Sequence, residues 1–296
     1  MQRLMLLWRS HVALLTLGIL GLGWLGWPIW SSFTAPGRDA LEAETPFLLA
    51  ALLGLLAVLA TSMWLDAGRR AAIFGPVVLV VVADVVIRLV LSPGGSGIEP
   101  VYALPLLAGA ALGAPAGFLT GALASLTSSV ALGLVDTPLV GQILVWGAWG
   151  AAGGLLRRLR PVLAWLLAVL ACLPLGLFTG LALNITGWTG ERSATTGGFL
   201  PGLPPLEALQ RLIDYTLATS LAFDLTRAVV NAVLVLCIGL PVLRALRTAH
   251  GTFTHSPGAP TEPPPPAVAP TALNRRSRSD QLTTLWTSST THEETE

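Results

Sequence analysis

The sequence contains no lysine; all 17 basic residues are arginine. That bias reflects genome composition, since no fold requires it. Charge of either sign is scarce: 11% of 296 residues are charged, where a soluble domain carries about 25%. Between Pro100 and Asp136 no residue is charged at all. Histidine is almost missing too. Of His11, His250, His255 and His292, only His11 lies near a long apolar run, which argues against a histidine-based triad or metal centre. The two cysteines, Cys172 and Cys237, sit inside apolar runs and read as small hydrophobic residues, not as a disulfide or a zinc site. Basic residues do not line up with exposed aromatics, so nucleic acid is not an expected partner. Gly94-Gly-Ser-Gly97 lacks the Gly-Lys-Ser/Thr ending of a phosphate loop, which excludes ATP hydrolysis by that route. No catalytic constellation, metal or cofactor is expected, and the chain does not read as an enzyme.

What fills the sequence instead is apolar length. A bilayer core of roughly 30 Å needs about 20 apolar residues per helix, and several segments reach that. The expected fold is an all-α polytopic membrane protein with eight transmembrane helices. The spans are predicted at residues 11–30, 47–65, 71–91, 101–112, a fifth running on to 134, 139–156, 162–183 and 223–243. The first competes with a signal-peptide reading, but it is long, contains Gly23-Trp-Leu-Gly-Trp-Pro28 and has no clear A-x-A cleavage site, so it reads as a membrane helix. A polar loop with Arg38, Asp39, Glu42 and Glu44 separates the first two. Gly113-Ala-Pro115 supplies the turn that divides 101–134 into two helices, and arginine placement requires that division. With it, Arg3, Arg9, Arg69, Arg70, Arg157, Arg158, Arg160, Arg244 and Arg247 share one side, against Arg38, Arg192 and Arg211 on the other. Cytoplasmic loops are enriched in arginine, so both termini are expected in the cytoplasm of a bacterial plasma-membrane protein, with Gly95 and Thr195 outside. The fourth span is short, as is tolerated where a helix lines a cavity or packs inside protein.

Three regions follow: a two-helix extension over 1–66, a six-helix core over 67–249, and a Pro-, Thr- and Ser-rich tail over 250–296, expected to be disordered. The tail carries Arg275, Arg276 and Arg278. Between the last two spans, Leu206, Leu209, Ile213, Leu217 and Leu221 fall on one helical face. Such a helix either rests in the membrane interface or caps an external pocket. Gly109, Gly113, Gly117 and Gly121 recur every four residues, as do the pairs Gly150/Gly154 and Gly176/Gly180, a spacing that lets membrane helices approach closely.

Ionisable residues within the membrane are costly and functional by default. Asp84 and Arg88 lie one turn apart, either as a self-contained ion pair or as part of a site. Asp224 and Arg227 open the last span, with Asn231 one turn on; Gln142 starts the sixth and Asn184 ends the seventh. The topology puts Arg88, Glu99, Gln142, Asn184, Asp224 and Arg227 toward the external side, where they suit a pocket for a polar organic ligand.

These residues also carry a resemblance. Gly97-Ile-Glu-Pro100, Leu107-Ala-Gly109, Leu112-Gly-Ala-Pro115-Ala-Gly-Phe118 and Gly121-Ala-Leu123 occur in order, followed by Pro138, Gln142 and Gly150. Then come Leu217-Ala-Thr-Ser-Leu221, Asp224, Arg227-Ala, Asn231-Ala-Val-Leu234 and Gly239-Leu-Pro-Val-Leu243. This series resembles the substrate-binding (S) component of energy-coupling factor vitamin transporters over residues 71–247, six helices. The resemblance implies capture of a vitamin or related micronutrient near the outer surface, cobalamin-type by the subgroup most similar. It also implies partnership with a transmembrane coupling subunit and two ATPase subunits. In such components, small residues at four-residue spacing on the first core helix dock on the coupling subunit. Ala71 and Gly75 match, with glycine in place of the family's usual alanine at the second position and Pro76 following. The candidate substrate-binding residues remain those that topology groups, Arg88, Glu99, Gln142, Asn184, Asp224 and Arg227, together with Asn231. Two other readings stay open: an ion-coupled secondary transporter using Asp84 or Asp224 as proton sites, and a membrane scaffold in which the glycines serve packing alone.

Overall fold

A computed structural model of the chain describes residues 8–30, 38–91, 98–189, 197–254 and residue 283. Gly95, Thr195, Arg3, Arg192, Arg275, Arg276, Arg278 and the tail beyond Thr254, Thr283 apart, lie outside the described residues.

Nine α-helices occur among the described residues: α1 (Trp8–Trp30), α2 (Arg38–Asp66), α3 (Gly75–Leu91), α4 (Ala103–Leu112), α5 (Ala114–Ala131), α6 (Thr137–Gly154), α7 (Pro161–Trp188), α8 (Pro205–Thr219) and α9 (Leu221–Thr254). Among the described residues five segments are long and apolar enough to cross a membrane: Trp8–Ile29, Glu44–Asp66, Ala71–Leu91, Pro161–Trp188 and Leu221–Gly251. The fold is therefore that of a helical membrane protein, but by length and hydropathy the count is five, not the eight expected. The shortfall lies in the middle of the chain. α4 has only ten residues, about 15 Å at about 1.5 Å per residue. α5 and α6 have 18 residues each, diluted by Gly, Ser, Thr and Trp. These helices meet protein more than lipid, so their surfaces need less hydropathy. Every residue of α4 is buried.

Glycine is what lets α4, α5 and α6 fill one centre. A Cβ on Gly109 or on Gly117 would collide with the carbonyl of Gly150, and one on Gly121 with that of Trp146. The four-residue glycine spacing thus marks a three-helix crossing at backbone distance. Gly113, which joins α4 to α5, has φ 107°, a region L side chains avoid, so the predicted turn depends on it. Around this centre α3 packs on α5, α9 packs on α4 and α7, and the α1–α2 pair lies against α5, α6 and α7. α1 and α2 are tied at their ends, where the Ser10 N–H donates to Asp66 Oδ2 at 2.9 Å; a carboxylate there complements the helix dipole. All nine helices belong to one unit ending at Thr254.

Three segments differ from expectation. The polar stretch predicted as a loop between the first two spans is helical from Arg38, in keeping with its Ala, Leu and Glu content. The last helix runs to Thr254, past residue 243. Residues Ala71–Phe74 form a 3₁₀ turn, and the α-helix starts only at Gly75. Pro76 has no N–H to give the carbonyl of Ala72, so an α-helix cannot run unbroken from Ala71, whereas proline is well placed in the first turn of one. Ala71 and Gly75 are both exposed, but they do not lie i,i+4 on one α-helical face.

Candidate functional site

The polar residues singled out above meet at one end of the bundle, in two groups. The first is built on Arg88, near the end of α3. Its Nη1 donates to Ser128 Oγ at 2.7 Å, Ser129 Oγ at 2.8 Å and the Ser125 carbonyl at 3.3 Å. Its Nη2 reaches Gln142 Oε1 at 3.4 Å. Ser125, Ser128 and Ser129 recur at i, i+3 and i+4 in a helix that is apolar apart from them, Thr120 and Thr127. That signal was available in the sequence and went unused. The guanidinium also lies 5.1 Å from the ring centre of Trp146. All these partners are neutral, so Arg88 is not consumed by an ion pair, and the self-contained pair with Asp84 does not form.

The second group is built on Arg227. Its Nε donates to Glu99 Oε2 at 2.8 Å and its Nη1 to Asp224 Oδ1 at 2.6 Å. Asp224 accepts a further bond from Ser220 at 2.8 Å, and Asn184 donates to Ser220 Oγ at 2.9 Å and Thr216 Oγ1 at 3.2 Å. Asn231 closes the group from below. Its Oδ1 accepts the N–H groups of Tyr102 and Ala103, at the start of α4, while its Nδ2 donates to the carbonyls of Glu99 and Arg227. This side chain satisfies helix-start donors that would otherwise be orphaned. Gly180 of α7 makes room for the arrangement, because a Cβ there would overlap the Asp224 carboxylate.

An aromatic layer joins the groups. Tyr102 lies 5.4 Å from Trp146 and 4.9 Å from Trp149, and Arg227 sits 5.9 Å from the Tyr102 ring centre. Arg88, Trp146, Tyr102 and Arg227 therefore form a continuous cation–aromatic–cation row. Sequence reading missed the aromatics; Trp146 and Trp149, one turn apart on α6, were the available sign. Arg227 and Asp224 are buried, and the Glu99 side chain is 39% exposed. Glu99 is thus the member of its group that a competing molecule could most easily displace.

α8 lies beside this end. Its buried residues are Ala208, Leu212 and Thr216, whereas Leu206 and Leu217 of the predicted apolar face are 68% and 53% exposed. Leu209 is half-buried against the cluster of Trp188, Phe199 and Leu212, but most of that face points away from the protein, as for a helix resting in an interface. Arg211 anchors the segment through a 2.9 Å bond to the carbonyl of Gly198.

The opposite end carries a different cluster. Arg247 donates to the carbonyls of Leu159 at 2.7 Å and Ala110 at 2.9 Å, tying α9 to the end of α4 and to the α6–α7 loop. Arg157 Nη2 lies 3.2 Å from His250 Nε2. Burial, and then the charge of Arg158, hold the Arg157 guanidinium below the ordinary arginine value, though it stays cationic. Ala71 lies in the 3₁₀ turn before α3 and Gly75 is the first residue of α3, so both lie at the other end of this helix from Arg88.

No protein-family model, curated protein or solved structure matches the chain. What fold and site define is a helical membrane protein with a paired-arginine polar layer near one end.

Proposed function

We propose that the chain is the substrate-capturing membrane subunit of an energy-coupling factor importer, binding a vitamin-like molecule, cobalamin-type by motif resemblance. In this reading α1–α7 and α9 all traverse the bilayer or line its interior. The arginine-rich end and both termini are cytoplasmic, and the Arg88–Arg227 end faces outward. The observation that carries the reading is the meeting of Arg88, Gln142, Glu99, Asn184, Asp224, Arg227 and Asn231. They come from α3, α6, α7, α9 and the α3–α4 connection, far apart in sequence, and meet around an aromatic row. Isolated polar groups in a membrane are costly, and a scaffold that used the Arg227 group to join helices would not need the unpaired cation of Arg88. The layer also has chemical direction. Arg88, contacted only by neutral groups, offers a cation to an acidic or carbonyl oxygen of a ligand. Glu99 offers a carboxylate to a donor. Capture at this layer needs no nucleotide; translocation needs a coupling subunit and two ATPases, with Ala71 and Gly75, exposed at the other end, as the proposed docking residues.

Mass spectrometry of small molecules co-purified with the full chain tests the binding claim, with Arg88→Gln as control: a compound retained by the wild type and lost from the variant is expected. Reconstitution tests the motor. Accumulation in liposomes should require the coupling subunit, the ATPases and ATP. Accumulation by this chain alone under a proton gradient would overturn the reading.

A further inference from the structure

Asp84 lies on the buried stripe of α3, with Pro76, Val77, Val80 and Val81. It is 0% exposed, and neither carboxylate oxygen has a hydrogen-bond partner. Arg88, one turn further along the same face, directs its guanidinium away to Ser125, Ser128, Ser129 and Gln142. α5 packs on α3, and with α4 returning between them the two helices run in the same direction. Arg88 meets Ser128 and Ser129, so one turn back along each helix brings Asp84 level with Ser125. The Ser125 hydroxyl is also buried and without a partner. Two unused polar groups thus share one layer beneath the arginine site.

The charges around this layer are few. α4, α5 and the turn Ala71–Phe74, all packed against α3, contain no charged residue. α9 brings Asp224 and Arg227, which are bonded to each other, and Arg227 also to Glu99. The other ionisable residues of α9, Cys237, Arg244, Arg247 and His250, lie further toward the opposite end, and the Cys237 thiol is exposed. Arg88 is therefore the one charge beside Asp84, and it is engaged. An ionised carboxylate left without a partner in such surroundings is so costly that the group takes up a proton instead. Charge balance points the same way: with Asp84 neutral, Arg88 and Arg227 are matched by Glu99 and Asp224, and no charge is left over.

We propose that Asp84 is a proton-binding site inside the bundle. It carries a proton in the arrangement described. When that proton passes to water, Arg88 turns inward by one helical turn to meet the carboxylate, releasing Ser128, Ser129 and Gln142. Of the two aspartates that sequence offered as proton sites, Asp224 is tied to Arg227 and Ser220, and Asp84 alone is free to exchange. The inference does not depend on the chain being an importer subunit.

Infrared titration of the full chain in liposomes tests it. At neutral pH the wild type should show the carbonyl stretch of a protonated carboxylic acid. Asp84→Asn should remove the band, Asp224→Asn should leave it, and Asp84→Glu, which keeps the carboxyl, should shift it. Raising the pH should abolish it, and tryptophan emission should change over the same interval, a change that Trp146→Phe removes. No such band in the wild type, or an equal band in Asp84→Asn, would overturn the proposal. So would loss of the band on adding sodium at constant pH, which would make this a cation site. Constant emission while the band disappears would overturn the movement of Arg88.

Discussion

Arg227 and Arg88 occupy the same end of the bundle, on either side of the Tyr102–Trp146 pair, but are held in opposite ways. Arg227 is closed between Glu99 and Asp224, with Asn231 bracing its carbonyl. Among the described residues Arg88 touches three serines, a glutamine and an indole, and no carboxylate. A buried cation with matched anions is a structural joint, because removing one member strands the others. A cation with only neutral partners keeps its charge available. The two halves of the layer therefore separate into one that holds α4, α7 and α9 together and one that is free to respond to a ligand or a proton.

The strongest way to break this distinction is Arg227→Ala. It leaves the buried Asp224 carboxylate without its counter-ion, and losing one partner of such a pair costs about 3–5 kcal/mol. Thermal unfolding in detergent should show a large loss of stability. Unchanged stability would mean that Asp224 is not held by Arg227. Asn231→Ala comes next. Four bonds disappear, two of them to the first N–H groups of α4, and buried unsatisfied groups cost about 1–3 kcal/mol each. An intermediate loss of stability is expected, with faster hydrogen exchange at the start of α4.

Arg88→Gln should cost less, about 1 kcal/mol, near the net value of an ordinary hydrogen bond. The serines it leaves can bond within their own helix, as Ser128 already does to the carbonyls of Ala124 and Ser125. Ligand binding should nevertheless weaken at least about tenfold, or about 1.4 kcal/mol, measured with the co-purified molecule. A stability loss as large as that of Arg227→Ala would erase the difference between the halves.

Much of this layer was legible in the chain. Charge is so costly in lipid that each intramembrane ionisable residue announces itself, and the alternation of helices put Arg88, Gln142, Asn184 and Arg227 at one end. The glycine period was legible for a similar reason, since only a missing Cβ permits the approach of Gly109 and Gly117 to Gly150. Pairing was not legible. Whether Arg88 turns to Asp84 or to the serines of α5 depends on side-chain direction, which spacing does not encode. Only five segments qualify as spans by length and hydropathy among the described residues, because hydropathy reports exposure to lipid and α4–α6 are shielded by neighbours. The outward face of α8 was unreadable because an apolar stripe looks the same whether it meets protein or lipid.

The smallest effect on stability is expected at the far end, from Ala71→Leu and Gly75→Leu. Both positions are exposed, and substitutions away from buried features stay within about 0.5 kcal/mol. Gly75 has φ −52° and ψ −54°, helical values that a Cβ directly before Pro76 disfavours, so Gly75→Leu should cost somewhat more than Ala71→Leu. Neither change reaches the Arg88–Arg227 layer, so ligand affinity should stay within about threefold, or about 0.7 kcal/mol. Transport is where the variants should differ from wild type. A coupling subunit that needs close helix contact cannot approach across a leucine, so uptake with the complete motor should be lost while binding persists. The 3₁₀ turn sharpens this further. Because Ala71 and Gly75 do not share one α-helical face, the two changes should not be equivalent, and the one that faces the coupling subunit should carry most of the loss. Equal loss of binding and uptake would place the ligand layer and the docking end in one structural unit. Normal uptake by both variants would remove this end of α3 as the docking surface.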